Sequence, residues 1–156
     1  EPALKRYLLE HPKQREEEIL DSKMWSSIIW NGLYICALSL LFFISPSIRQ
    51  CFRPGENDIY FYTGYFTFFI FICIFNAFNA RTDSVDLLEN LALNKQFLIV
   101  MLGIGTTQVL MTYYGGALLR TAGLVFSEWM LILSLAITII PLDLLRKLLM
   151  RNRPVS

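Results

Sequence analysis

Four long stretches of the chain carry no formally charged residue: 24–44, 59–79, 97–114 and 129–142. Every Lys, Arg, Asp and Glu falls in the stretches around them: 1–23, 45–58, 80–96, 115–128 and 143–156. A helix that crosses the hydrocarbon core of a bilayer needs about 20 mainly apolar residues. The first three stretches reach that range. The fourth has 14 residues, but Leu144, Leu145, Leu148 and Leu149 continue it. Arg146 and Lys147 have stems long enough to snorkel to the interface. The pattern predicts an all-α integral membrane bundle of four transmembrane helices, spanning about 24–44, 59–79, 97–114 and 128–149. Residues 1–23 are then a cytosolic linker, 24–152 the membrane domain and 153–156 a cytosolic tail.

Four spans place both termini on one side. The stretches on that side hold 5, 2 and 4 Lys and Arg, against 2 and 1 on the other. The positive-inside rule assigns the richer side to the cytosol. The span ends carry turn and interface signals. Ser45-Pro46 and Arg53-Pro54-Gly55 break the chain after the first span. Tyr60, Tyr62 and Tyr65 open the second at interface depth, and Tyr113-Tyr114-Gly115-Gly116 closes the third. Ser127 is the expected N-cap of the fourth, with Trp129 as its interfacial anchor. Residues 84–89, Ser-Val-Asp-Leu-Leu-Glu, read as a solvated connector, with a short amphipathic turn as the alternative.

Composition narrows the chemistry. With 14 basic and 13 acidic residues, the chain lacks the basic surplus that a nucleic-acid partner requires. Cys36 and Cys73 lie within spans and Cys51 in a loop, so no disulfide framework is expected. His11 is the only histidine, and no Cys/His spacing suits a metal. No phosphate-cradling glycine loop and no nucleophile–base pair occurs, so no catalytic residue is assigned. No secretory signal is visible, and the opening Glu1 suggests a segment of a longer chain.

Polar residues at membrane depth remain as candidates, because burying them without partners is costly. Cys73, Asn76 and Asn79 lie on one face of the second span, and Gln108 lies in the third among Thr106, Thr107 and Thr112. These four are the ion-facing candidates; interhelical hydrogen bonding is the preferred alternative. Asn31-Gly32 in the first span reads as packing. In the fourth, Pro141 removes a backbone donor and kinks the helix. Asp143 and Lys147, four residues apart, suit an ion pair at the cytosolic helix end more than a proton or cation relay. No span carries a carboxylate at its centre, where a self-sufficient transporter of hard cations would need oxygen ligands.

Three motifs carry a resemblance. Phe75-Asn76-Ala77-Phe78-Asn79-Ala80-Arg81 is similar to the Asn-x-x-Asn-(Ala/Ser) ending of the eighth helix of calcium-transporting P-type ATPases. Glu128-Trp129 is similar to the opening of their tenth helix. Pro141-Leu142-Asp143-Leu144-Leu145-Arg146-Lys147, running on to Arg151-Asn152, resembles that helix's Leu-Asp-x-x-x-Lys ending. Glu1-Pro2 looks like the family's close of the sixth helix. The chain thus resembles the last four of the family's ten transmembrane helices, closest to the plasma-membrane calcium pump type. One departure stands out. The endoplasmic-reticulum type places a calcium-binding glutamate where this chain has Cys73, and a thiol is a poor ligand for Ca2+.

The resemblance implies a supporting segment of an ATP-driven calcium pump, in the plasma membrane more than an internal one. The segment would hold no cofactor, while Mg2+ and ATP would serve the parent. Its partners would be the other six helices, the cytosolic domains, membrane lipid and, as transported ion, Ca2+. The alternatives are a freestanding four-span subunit or regulator, and a small channel or exchanger lined by Cys73, Asn76, Asn79 and Gln108.

Overall fold

A computed structural model describes residues 22–82 and 84–151. The expectations for Glu1-Pro2, for most of the linker 1–23 and for the tail lie outside them. The described chain is helical: α1 (Ser22–Ile44), α2 (Pro46–Gln50), α3 (Ile59–Ala80), α4 (Lys95–Tyr114), α5 (Gly116–Leu119), α6 (Phe126–Ile137) and α7 (Ile139–Arg151). Among the described residues, four segments are long and apolar enough to cross a membrane, the last being α6 and α7 together.

The break in that last segment has a local cause. Pro141 has no N–H, and its ring crowds the carbonyl four residues earlier. That residue is Ile137, where α6 ends; α7 resumes at Ile139. Pro141 thus sits in the first turn of a new helix, where proline is tolerated. Ser45 begins α2 as its N-cap, accepting from Ile48 N, with Pro46 at the first helical position. The expected cap Ser127 does not serve. Val125 is the N-cap of α6, and Ser127 is exposed on the helix. The capping acceptor is Glu128, whose Oε2 accepts from Val125 N at 2.8 Å.

α3 is the central helix, packed against α1, α4, α6 and α7, whereas α4 packs mainly on α3 and meets α6 through Tyr113 and Trp129. The core is aromatic. Phe42 of α1 stacks on Phe68 of α3 at 4.9 Å and lies 5.8 and 5.7 Å from Phe52 and Phe61. Ile72, Ile132, Ala136 and Ile139 continue this core between α3 and α6–α7. Gly64 admits the Phe52 ring: a Cβ there would lie 2.2 Å from Phe52 Cε1.

The contacts fix helix directions. Asn31 bonds Asp143 while Tyr34 bonds Thr138, so α1 runs antiparallel to α7. Phe71 meets Trp129 while Asn79 meets Ile139, so α3 runs parallel to α6–α7. The start of α1 therefore lies beside the end of α7, and both ends of the described bundle fall together. Outward-facing residues are apolar: Ile29, Leu33, Leu41, Ile99, Leu102 and Leu145 are all exposed. In water such a surface would drive association; against lipid tails it is matched.

Candidate functional site

One polar cluster joins α1, α3 and α7. Asp143, Arg146 and Lys147 lie three and four residues apart and so share a face of α7. Asp143 is fully buried. Its Oδ1 accepts from Arg146 Nε at 2.7 Å and from Asn31 Nδ2 at 3.0 Å. Lys147 Nζ sits 3.0 Å from Oδ2 and donates to the Asn79 carbonyl at 2.9 Å. Asn79 in turn donates from Nδ2 to the Ile139 carbonyl at 3.0 Å. A carboxylate in a low-dielectric interior needs both charge neutralisation and hydrogen bonds. Here α7 supplies the charges, and α1 and α3 supply an amide and a carbonyl.

A second cluster closes the opposite end. Arg53, between α2 and α3, forks onto buried Glu128 of α6, with Nε 3.1 Å from Oε1 and Nη2 3.2 Å from Oε2. Arg53 N also donates to Oε1 at 3.0 Å, and Nη2 reaches the Gly123 carbonyl at 2.6 Å. The guanidinium lies 4.2 Å from the centre of the Tyr60 ring. The hydrogen bond to Glu128 raises the Arg53 pKa further above its ordinary value. Nearby, Trp129 Nε1 donates to Tyr113 Oη at 3.0 Å, and Tyr113 donates to the Leu124 carbonyl at 2.8 Å.

The third cluster bridges the first half of α3 and the last turns of α4. Gln108 Nε2 donates to Thr67 Oγ1 at 3.0 Å, and Thr67 and Thr112 hydroxyls lie 3.3 Å apart. All three side chains are buried.

The four ion-facing candidates do not converge. Asn79 packs toward α7. Gln108 bonds Thr67, twelve residues before Asn79 on α3 and about 18 Å away along the axis. Cys73 is exposed, and half-buried Asn76 has an Oδ1 with no hydrogen bond. Pro141, Asp143 and Lys147 do gather with Asn79. The ion pair expected at a helix end is instead enclosed by three helices. Among the described residues no three His, Cys, Asp or Glu side chains are placed to hold a metal ion.

Sequence reasoning passed over Asn31, Arg53, Glu128 and Arg146 as partners. A signal for one pair existed. Glu128 is the only acidic residue in 115–128, and the neighbouring loop on the same side supplies Arg49 and Arg53. Asn31 had only its depth in an apolar span to mark it.

Comparison with known proteins bears on the whole segment. The family described as cation transporting ATPase, C-terminus, matches residues 1–149. The calcium-transporting ATPase PAT1 of Dictyostelium discoideum is 26% identical over 164 residues, covering 99% of this chain and 15% of that protein. The plasma membrane calcium-transporting ATPase mca-1 of Caenorhabditis elegans is 25% identical over 135 residues, covering 80% of this chain and 10% of that protein. The chain thus spans a small fraction of the length of the curated relatives it matches.

Proposed function

The chain belongs to the family of cation-transporting ATPase C-terminal segments, and from that premise we propose that it is the supporting four-helix part of an ATP-driven calcium pump. The observation that carries this reading is the internal neutralisation of its buried carboxylates. Asp143 is paired by Arg146 and Lys147, and Glu128 by Arg53. A hard cation in transit needs several oxygen ligands, charged ones above all. Both buried carboxylates among the described residues already serve helix packing, which suits a scaffold better than an ion path.

The finer features follow the same premise. Both named relatives are calcium-transporting ATPases, and one is a plasma-membrane protein by name. The calcium cargo and the plasma membrane are therefore our reading for this chain. Mg2+ and ATP would be held by parts of the pump beyond this segment, and the remaining helices would carry the ion. The excess of Lys and Arg on the side of both termini supports a cytosolic placement of that side. In this role Asn79 and Gln108 fasten helices, and Cys73 and Asn76 are not ligands.

The test uses the full-length protein in inside-out vesicles supplied with Mg2+ and ATP. Asn79→Ala and Gln108→Ala are expected to leave the Ca2+ concentration for half-maximal uptake within about twofold of the parent, since neither side chain would be a ligand. A shift of about tenfold or more, in protein that folds normally, overturns the scaffold reading. Calcium flux through liposomes carrying only the 156-residue chain would overturn it as well.

A further inference from the structure

The connection between α4 and α6 does not project away from the bundle. Thr121 Oγ1 donates to the Met111 carbonyl at 2.8 Å, inside the last turn of α4. Ala122 N donates to Thr63 Oγ1 at 3.1 Å, one turn inside α3. Gly123 and Leu124 are held through their carbonyls by Arg53 and Tyr113. At about 1.5 Å per residue, these ties hold 121–124 roughly 5 Å below the helix ends. The chain between α4 and this pinned segment is α5, Gly-Ala-Leu-Leu, which opens on left-handed Gly116 (φ 47°) and is followed by left-handed Arg120 (φ 50°).

The surface around α5 is unusual in what it exposes. Leu118, Tyr114 and Phe126 are 90%, 83% and 80% exposed, more than any other large hydrophobic residue described. They continue the outward apolar surface of the adjoining helices, where Leu110 and Met130 are also exposed. Arg120 is exposed beside them and is the only charged residue between Lys95 and Glu128. Glu128 is already paired with Arg53, so the free charge of this patch is positive.

We propose that Tyr114, Leu118 and Phe126 dip into the lipid leaflet at this end of the bundle, with the Arg120 guanidinium among the phospholipid phosphates. Depth, polarity and charge agree. Residues 121–124 are tied about one turn inside the ends of α3 and α4, and aromatic rings favour the corresponding depth at a membrane interface. A leucine beside them gains from leaving water, and an arginine there finds anionic oxygens. The segment 114–126 is then an interfacial foot on phospholipid. This inference requires only that the four segments span a bilayer, so it stands or falls apart from the pump reading.

The test places a solvatochromic fluorescent side chain at position 118, by codon suppression, in the full-length protein in phosphatidylcholine vesicles. Quenching by lipids spin-labelled near the carbonyl end of the acyl chain should exceed quenching by aqueous iodide by about threefold, as for interfacial residues. The same label at position 126 gives an independent measurement if the first variant folds poorly. Arg120→Glu should lower the lipid quenching at 118 by about half, because a carboxylate is repelled by phosphate. Iodide quenching equal to or above lipid quenching would show a water-facing loop and overturn the proposal. Protection from both quenchers would show that a protein partner covers the patch, with the same consequence. An unchanged signal in Arg120→Glu would remove the phosphate contact.

Discussion

At the scale of single residues, the structure separates polar groups that matter greatly from those that matter little. Removing one member of a buried ion pair costs roughly 3–5 kcal/mol, because the remaining charge is stranded, whereas replacing all members by apolar groups is often neutral. Asp143→Asn removes the negative charge that sits between Arg146 and Lys147 and should lower the thermal unfolding temperature of the full-length protein markedly. Asp143→Leu combined with Arg146→Met and Lys147→Met should recover most of the loss. A triple variant no more stable than Asp143→Asn would mean that the carboxylate has a role besides pairing. Gln108→Leu is the contrast. Interhelical hydrogen bonds in membranes average about 0.6 kcal/mol, so this change should barely move the transition although Gln108 is buried. Gly64→Ala should cost more, about 1–3 kcal/mol from overpacking, because the new methyl would strike the buried Phe52 ring. Phe52→Leu in the same chain should return part of it; the unfolding temperatures of the single and double variants decide the point.

At the scale of elements, the spans were legible and their fastenings were not. Uncharged runs and turn residues mark a transmembrane helix from within its own sequence, which is why α1, α3 and α4 fall where the pattern puts them. Pro141 signals a kink by removing one backbone donor, and the break appears at Thr138, where its ring meets the preceding turn. The cap of α6 was misread because Ser127 looks like a capping residue in isolation, while Glu128 is drawn to Val125 N and Arg53 together. That choice depends on a residue 75 positions away, which no local pattern reports. The Arg53–Glu128 clamp is therefore an element-scale prediction. Glu128→Gln removes the charge from the fork and weakens the cap of α6 at once, so proteolysis of the α4–α6 connection should accelerate. The acceleration should be the same across the physiological pH range. The Arg53 pKa is raised by its hydrogen bond to Glu128, so its contribution holds below the unfolded pKa and fades only as pH rises through the still higher folded one. A rate that varied steeply near neutral pH would point to some other group.

At the scale of the whole molecule, the two ends of the bundle are fastened differently, and this gives a test of its orientation. Asp143 and its partners tie the end where the described chain begins and finishes. Arg53 and Glu128 tie the end formed by the two loops. The first end carries the larger share of Lys and Arg, 11 of 14, which places it in the cytosol if the positive-inside rule governs this segment. Cys51 offers a probe of the other end, since it is exposed at the close of α2, whereas Cys36 and Cys73 lie within spans. In intact cells, a membrane-impermeant maleimide should label the full-length protein more than its Cys51→Ser variant. A cysteine introduced as Glu89→Cys, in the loop between α3 and α4, should react only after the membrane is opened. The reverse pattern would invert the bundle. It would put the Asp143 cluster at the outer face and detach the segment from any pump whose nucleotide-handling domains are cytosolic. The lipid-facing foot at 114–126 would survive that inversion, because its depth is set by Thr63 and Met111 and not by the compartment beyond them.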